Sequence, residues 1–147
     1  MALFATSSSR GTFKKLIKAG ADVNATDDEG VTPLMLVCKC SPDDRIAAYV
    51  TTLIKMGANI NAQDKEGKTA LMYALENERK AINIEARDKF ITMLLEAGAD
   101  VSIKDKKGKY AIDYRTNWWW PLTGDILKKL TPPKDMSIPF RSNYRGR

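Results

Sequence analysis

Few side chains in this chain of 147 residues could do catalytic chemistry. The candidate nucleophiles are Cys38 and Cys40, but the chain contains no histidine, the commonest general base beside a catalytic thiol. A zinc site takes about four ligands, and no third cysteine is present. The sequence also lacks a phosphate-binding loop of the G-x-x-x-x-G-K type. We therefore predict no catalytic residues, no bound metal and no cofactor, and we expect that the protein is not an enzyme.

The two cysteines have a simpler interpretation. Cys38 and Cys40 lie two residues apart, so on a helix they point in different directions and do not easily pair. We expect small, buried or half-buried apolar residues in a reducing compartment. A reactive Cys40 is the alternative, and rapid labelling by a thiol reagent near neutral pH would reveal it.

The carboxylates recur in a pattern that indicates turns. Asp27, Asp64 and Asp105 each stand three residues before a glycine. A short carboxylate at such a position accepts hydrogen bonds from nearby backbone amides, and the glycine permits a positive φ. The three turn glycines are Gly30, Gly67 and Gly108.

A repeated unit must position these turns. The segment that begins at Gly20 returns at Gly57 and again at Gly98, after 37 and then 41 residues. Each glycine follows an amphipathic stretch and suits the C-terminal stop of a helix. Thr32 and Thr69 follow the turns and suit helix N-caps. The unit is therefore a turn, a helix, a loop and a second helix, and its recurrence predicts a stack of repeats.

These units resemble the ankyrin repeat, whose signature runs G-A-D-V-N-A-x-D-x-x-G-x-T-P-L-H. Gly20–Leu34 and Gly57–Leu71 match it almost position by position, and Gly98–Ile112 matches best in its first half. The resemblance implies an all-α solenoid of about four helix-pair repeats over residues 1–130. The first and last repeats are atypical, and the connecting loops are short and hairpin-like.

The sequence departs from that signature at one position. Met35 and Met72 stand where the family has its histidine. The family's histidine caps the turn by hydrogen bonding, so we expect the methionines to replace bonding with packing. This would weaken the junction between hairpin and helix without changing the fold.

Periodicity and capping signals predict the helix bounds. The expected helices lie near 12–19, 33–40, 42–56, 70–82, 84–97 and 123–130. The third unit is about eight residues longer than the usual 33, and we place its surplus within Glu76–Asp88 as an extension of both helices. That extension is either a solvated spacer or a docking ridge.

Both ends of the array leave alternatives open. Met1 aligns near Met35, so either further repeats precede the chain or a short first helix caps it. At least one member of Trp118–Trp120 is expected to cover the open end of the stack, and a partner pocket for an exposed member is the alternative. Residues 131–147 form a basic tail that we expect to be mobile.

The resemblance implies that a partner would contact the hairpin tips and the inner-helix face, which includes Leu36. Tyr73 and Tyr114 are either interface anchors or packing between neighbouring units. The tip charges are either partner contacts or plain solvated residues. The predicted partner-binding residues are Asp28, Glu29, Val31, Lys65, Glu66, Lys68, Tyr73, Lys106, Lys107, Lys109 and Tyr114.

Charge runs from negative at the first hairpin to positive at the third, and the net charge is +6, from 24 basic and 18 acidic residues. We predict a non-catalytic protein–protein interaction module, an adaptor or regulator, that is a monomer or part of a longer array. Binding of nucleic acid through the basic third hairpin and tail is the alternative.

The sequence also gives expectations about cellular location and source organism. No apolar run reaches the roughly 18 residues of a membrane span, and residues 1–20 do not resemble a secretory signal. We expect a cytoplasmic protein, with a secreted effector as the alternative. The many lysines and isoleucines are typical of a bacterium with an AT-rich genome or of its viruses.

Overall fold

The computed structural model describes residues 18–40, 44–77, 84–115 and 124–131. Within these ranges every regular element is helical, and no strand occurs. The elements are α1 (Pro33–Cys38), α2 (Asp44–Lys55), α3 (Ala70–Glu76), α4 (Ile84–Glu96), a 3-10 helix (Ala111–Tyr114) and α5 (Gly124–Leu130). The predicted all-α class is therefore confirmed.

The helices form two layers. The short elements α1, α3 and the 3-10 helix pack side by side as the inner layer. Helices α2 and α4 pair with α1 and α3, and α5 packs on α4, which makes the outer layer. Each helix pair thus stacks on the next, as predicted for a solenoid.

The core lies between the two layers. Its most fully buried side chains come from inner and outer helices alike, and they are chiefly leucines. Cys38 belongs to this core and Cys40 is half-buried, which confirms the structural interpretation of the pair. Burial, with a smaller contribution from the neighbouring Cys40, raises the pKa of the Cys38 thiol. The largest core residues include Leu34, Leu53, Leu71, Leu75, Phe90, Leu94, Ile112 and Leu130.

The inner helices begin at the predicted caps. Thr32 Oγ1 accepts a hydrogen bond from the Met35 amide at 3.3 Å, and Met35 Sδ lies 3.4 Å from the Thr32 amide, whose proton it accepts. Thr69 and Met72 repeat both contacts. The expectation that methionine replaces bonding with packing alone is therefore wrong. A thioether is a weak acceptor, and here it occupies the acceptor position while the side chain stays buried.

One predicted helix boundary is also wrong. Helix α3 ends at Glu76, six residues before the expected bound at residue 82. Asn77 is its C-cap, with a φ of −99° and a ψ of 8° that leave the helical range. Its backbone amide makes the last helical bond to the Tyr73 carbonyl at 3.1 Å, and its side-chain Nδ2 donates to the same carbonyl at 3.0 Å. An asparagine side chain that bonds nearby backbone competes with helix continuation. The surplus segment 78–83 lies outside the described residues.

Other boundaries match closely. Helices α2, α4 and α5 fall within one or two residues of their expected bounds, while α1 ends at Cys38, two residues early. Further predictions concern residues 12–17 of the first expected helix, the tryptophans Trp118–Trp120 and the tail beyond residue 131. These lie outside the described residues.

Candidate functional site

Three identical turns form one edge of the inner layer. Asp27 Oδ1 accepts hydrogen bonds from the amides of Glu29 and Val31, both at 2.9 Å. Asp64 and Asp105 make the same two bonds in the next two hairpins, at 2.8 to 2.9 Å. The predicted turn role of the three aspartates is confirmed.

All six predicted glycines have positive φ, between 75° and 99°. At Gly67 the space is also restricted, since an added Cβ would lie 2.9 Å from the Lys106 nitrogen. The corresponding distance at Gly30 is 3.2 Å, to the Lys65 nitrogen. The first and second hairpins therefore each rest directly against the next one through their glycines.

Backbone hydrogen bonds hold the hairpins in register. The Lys65 amide donates to the Glu29 carbonyl at 2.9 Å, and the Lys106 amide donates to the Glu66 carbonyl at the same distance. Because the same bond joins equivalent positions twice, the three tips are evenly spaced in one row.

Asparagines fix the spacing at the other end of each loop. Asn24 donates through Nδ2 to the Gly57 carbonyl at 3.1 Å and accepts from the Asn59 amide at 2.7 Å. Asn61 makes the equivalent pair of bonds to the following unit, at 3.1 and 2.8 Å. Two asparagines thus tie consecutive units together.

Tyrosines join the second and third hairpins to the inner layer. The Tyr73 hydroxyl donates to Asp64 Oδ2 at 2.5 Å, and the Tyr114 hydroxyl donates to Asp105 Oδ2. Burial, and then the bond to the carboxylate, raises the pKa of each phenol. Burial alone would raise the pKa of Asp105, but hydrogen bonds from Tyr114 and two backbone amides outweigh it and lower that pKa.

Lysines lie over the faces of these rings. Lys39 Nζ is 4.6 Å from the centre of the Tyr73 ring. Lys68 Nζ lies between the two rings, 5.2 Å from Tyr73 and 4.8 Å from Tyr114. Lys109 Nζ is 5.6 Å from Tyr114. The five side chains form a cation–aromatic row, and each contact is worth about 0.5–1 kcal/mol at exposed sites.

The family follows from this repeated geometry and from its sequence match. A family model described as ankyrin repeats, in three copies, matches residues 3–105, which is more than half of the chain. The chain belongs to the ankyrin repeat family. No curated protein matches it significantly. Ankyrin repeats are generally protein–protein interaction modules and are typically not enzymes.

The ankyrin hairpin tips carry most of the predicted binding residues, and most of these side chains are exposed. The exposed ones are Asp28, Glu29, Lys65, Glu66, Lys106, Lys107 and Lys109. Lys68 is only 12% exposed in its side chain, between Glu66 and Glu76 at 3.7 and 3.3 Å. Val31 and Tyr73 are buried, and Tyr114 and Leu36 are half-buried.

Burial limits the surface area that residues of the inner face can present to a partner. Val31 is 5% exposed and Tyr73 is 7% exposed, so neither presents much area to a partner. The bonds of Tyr73 and Tyr114 to the hairpins support the packing interpretation of this pair. Their role as interface anchors stays a prediction.

Lys39 is a candidate site residue that the sequence did not predict. It is exposed, directly follows α1, and lies over Tyr73. No local signal marks it, because Tyr73 belongs to the next ankyrin repeat.

A groove of about 340 Å³ opens between the first and second ankyrin hairpins. Val31 and the Tyr73 ring are its only apolar contributors among the described residues, and charged side chains supply the rest. Small-molecule pockets are mostly apolar, so this groove suits a polar protein segment better. Its charged lining consists of Asp27, Glu29, Lys39, Asp64, Glu66 and Lys68.

The exposed tip charges change sign along the row. We call Asp28–Glu29 the acidic tip, Lys65–Glu66 the mixed tip and Lys106–Lys107 the basic tip. All six side chains are exposed, and the register bonds place them at equivalent positions. The tip row therefore presents an ordered charge gradient.

The described ranges hold neither a cluster of metal ligands nor a membrane-spanning helix. No group of three or more potential metal-ligating side chains occurs in that part of the chain. Nor is any of its helices long and apolar enough to span a bilayer.

Proposed function

We propose that this ankyrin repeat protein is a non-catalytic adaptor or regulator that binds a partner protein through its hairpin tips and concave inner face. The observation that carries the proposal is the register of the tips: three exposed, charged turns tied into one row by backbone bonds of 2.9 Å.

A rigid row lowers the cost of binding. Turn residues that are already bonded to Asp27, Asp64 and Asp105 lose little further freedom when a partner docks. Charges held at fixed spacing also steer approach and select the correct register. The tip charges therefore contribute more to specificity and to the association rate than to affinity.

The concave face adds a second contact area. Lys39 and Lys109 end the cation–aromatic row and are both exposed. Lys68, in the middle, already lies within 4 Å of two carboxylates. We expect partner carboxylates to bind at Lys39 and Lys109, and Lys68 to act by holding the two rings in place.

Site-specific photo-crosslinking in cells of the source organism tests this proposal. A photoreactive residue replaces Lys65 or Lys107 on the tips, or Lys55 or Lys89 on outer helices as exposed controls. We expect discrete crosslinked protein from the tip positions and none from the controls. Equal crosslinking from all four positions, or none from the tips, would contradict the proposal.

The alternative function is binding of nucleic acid through the basic third hairpin and tail. Its support is the exposure of Lys104, Lys106, Lys107 and Lys109 on one hairpin. The acidic tip interrupts any basic track, and the lysines over Tyr73 and Tyr114 cover ring faces that a base would stack on. This alternative requires salt-sensitive retention of single-stranded DNA that K106E/K107E abolishes.

The cytoplasmic location and bacterial origin stay predictions. Fractionation of the source cell, with the protein detected outside the cell, would favour the secreted effector instead.

A further inference from the structure

The tip row has a symmetry that a generic charged surface lacks. At its first position the three tips carry Asp28, Lys65 and Lys106, and at its second they carry Glu29, Glu66 and Lys107. The tip charges are therefore two negative, then one of each sign, then two positive. In chain order the six charges are minus, minus, plus, minus, plus and plus. When the row is read from its other end, every position therefore carries the opposite sign.

Such a pattern complements its own copy. In a two-fold interface the same patch lies on both subunits, so each residue must face a suitable residue of an identical surface. When a second tip row is turned by 180°, its basic tip faces the acidic tip of the first. The mixed tip then lies on the axis, where Lys65 of each chain faces Glu66 of the other.

Equal spacing is the second condition, and the backbone satisfies it. An antiparallel pair is in register only if the distance from acidic to mixed tip equals that from mixed to basic tip. The Lys65–Glu29 and Lys106–Glu66 backbone bonds join equivalent positions and are both 2.9 Å long.

We propose that the tip row binds a second copy of this chain, as an antiparallel two-fold dimer with acidic tip against basic tip. This inference rests on the proposed function, because it uses the same hairpin tips, and it names the partner as the chain itself.

The dimer is weak and salt-sensitive. Three hairpin tips offer less than the roughly 800 Å² per partner of a standard interface, and exposed ion pairs gain little in water. Association is therefore expected at protein concentrations on the order of 100 µM. It is expected to vanish in about 500 mM salt, where the screening length is only a few ångströms.

Charge-swap variants in sedimentation equilibrium test the arrangement. D28K/E29K makes every tip neutral or basic, and K106E/K107E makes every tip neutral or acidic. Each variant alone is expected to dimerise at least tenfold more weakly than the wild type, because like charges now face each other. An equimolar mixture is expected to restore association in about 50 mM salt, as a heterodimer with complementary tips.

A matched control separates the tip charges from net charge. K55E/K89E changes the net charge by the same amount as K106E/K107E, but on exposed positions of the outer helices. It is expected to leave dimerisation within twofold of the wild type. Thermal unfolding of all variants is expected to be unchanged, because every altered side chain is exposed.

Two results overturn this inference. One is a mixture of D28K/E29K and K106E/K107E that sediments as monomers up to the highest soluble concentration. The other is an equal loss of dimer in K55E/K89E. Either result leaves tip crosslinking to a different protein intact, so the proposed function would survive failure of the dimer.

Discussion

The first hairpin makes the same turn as the second and third but joins the inner layer by different chemistry. In the later hairpins the second carboxylate oxygen of Asp64 or Asp105 accepts a tyrosine hydroxyl. Nine residues after Asp27 the equivalent position is Leu36, and the position of Lys68 is occupied by the buried Val31.

This comparison separates two roles of one aspartate. A single oxygen suffices for the turn, since Asp27 bonds both amides without a tyrosine. The second oxygen is used only where the tyrosine and lysine are both present. The later hairpins thus combine a shared turn with a polar link to the inner layer, while the first relies on apolar packing.

The largest effect is expected from glycine substitutions, which probe how firmly each hairpin rests on the next. Gly67→Ala combines a positive φ of 79° with a Cβ only 2.9 Å from the neighbouring backbone. We expect a loss of about 3 kcal/mol, the sum of φ strain and overpacking. Gly108→Ala meets nothing within 4 Å, so only the φ strain of about 1–2 kcal/mol remains.

Urea denaturation of the three variants checks this order, with Gly30→Ala expected between the other two because its Cβ contact is 3.2 Å. Equal losses at Gly67 and Gly108 would show that the hairpins are not in contact. Gly67→Val should be at least as damaging as the alanine, since a β-branched residue resists positive φ.

The next effect concerns the polar link itself. Tyr73→Phe leaves one oxygen of the buried Asp64 without its hydroxyl donor. We expect a loss of about 1–3 kcal/mol, the usual cost of an unsatisfied buried group. Lys65→Ala is the control, because this exposed tip side chain should change stability by less than about 0.5 kcal/mol. A silent Tyr73→Phe would mean that water replaces the hydroxyl.

Alkaline pH acts on the same link. The folded protein raises the pKa of both Tyr73 and Tyr114 above the ordinary value of 10.0. Their contribution is therefore fully present below pH 10 and is lost as pH rises above it. We expect Tyr73→Phe/Tyr114→Phe to lose less stability than the wild type between pH 9 and about pH 11. Parallel pH profiles for the two proteins would contradict this.

The smallest effect on stability is expected when the first hairpin is given the tyrosine that the second and third hairpins have. Leu36→Tyr places a phenol at the position from which Tyr73 and Tyr114 reach their aspartates, and Leu36 is only half-buried. We expect a change between neutral and about 1 kcal/mol of stabilisation, the net value of one hydrogen bond. Met56→Tyr is the matched control, because it adds the same side chain at an exposed position of the outer layer, whereas a buried position such as Val23 would add overpacking.

Most of the hairpin was predictable because its interactions are local. The aspartate bonds span two and four residues, and the N-cap bonds span three. Such contacts depend on residue type and spacing, which repeat along the chain. The end of α3 was not predictable in this way, because the helix-favouring residues after Glu76 gave no local signal for the C-cap at Asn77.

The candidate surface was predictable only in part. Residues at hairpin tips were expected to be exposed, and the charged ones are, except Lys68, whose side chain is only 12% exposed. Val31 was included with them, but it is buried beside the next hairpin. Lys39 was missed because its contact with Tyr73 crosses from one repeat to the next.

The amino-acid sequence alone determined the family, the turns and the order of the tip charges. Each depends on residues within one unit, and glycine conformation and short-range hydrogen bonds make the same choice in every copy. The tertiary structure decided which side chains meet across units: the asparagine ties, the cation–aromatic row and the even spacing of the tips. These depend on how one unit is translated and rotated against the next, which is set by the packing of the two helix layers and not by local preference.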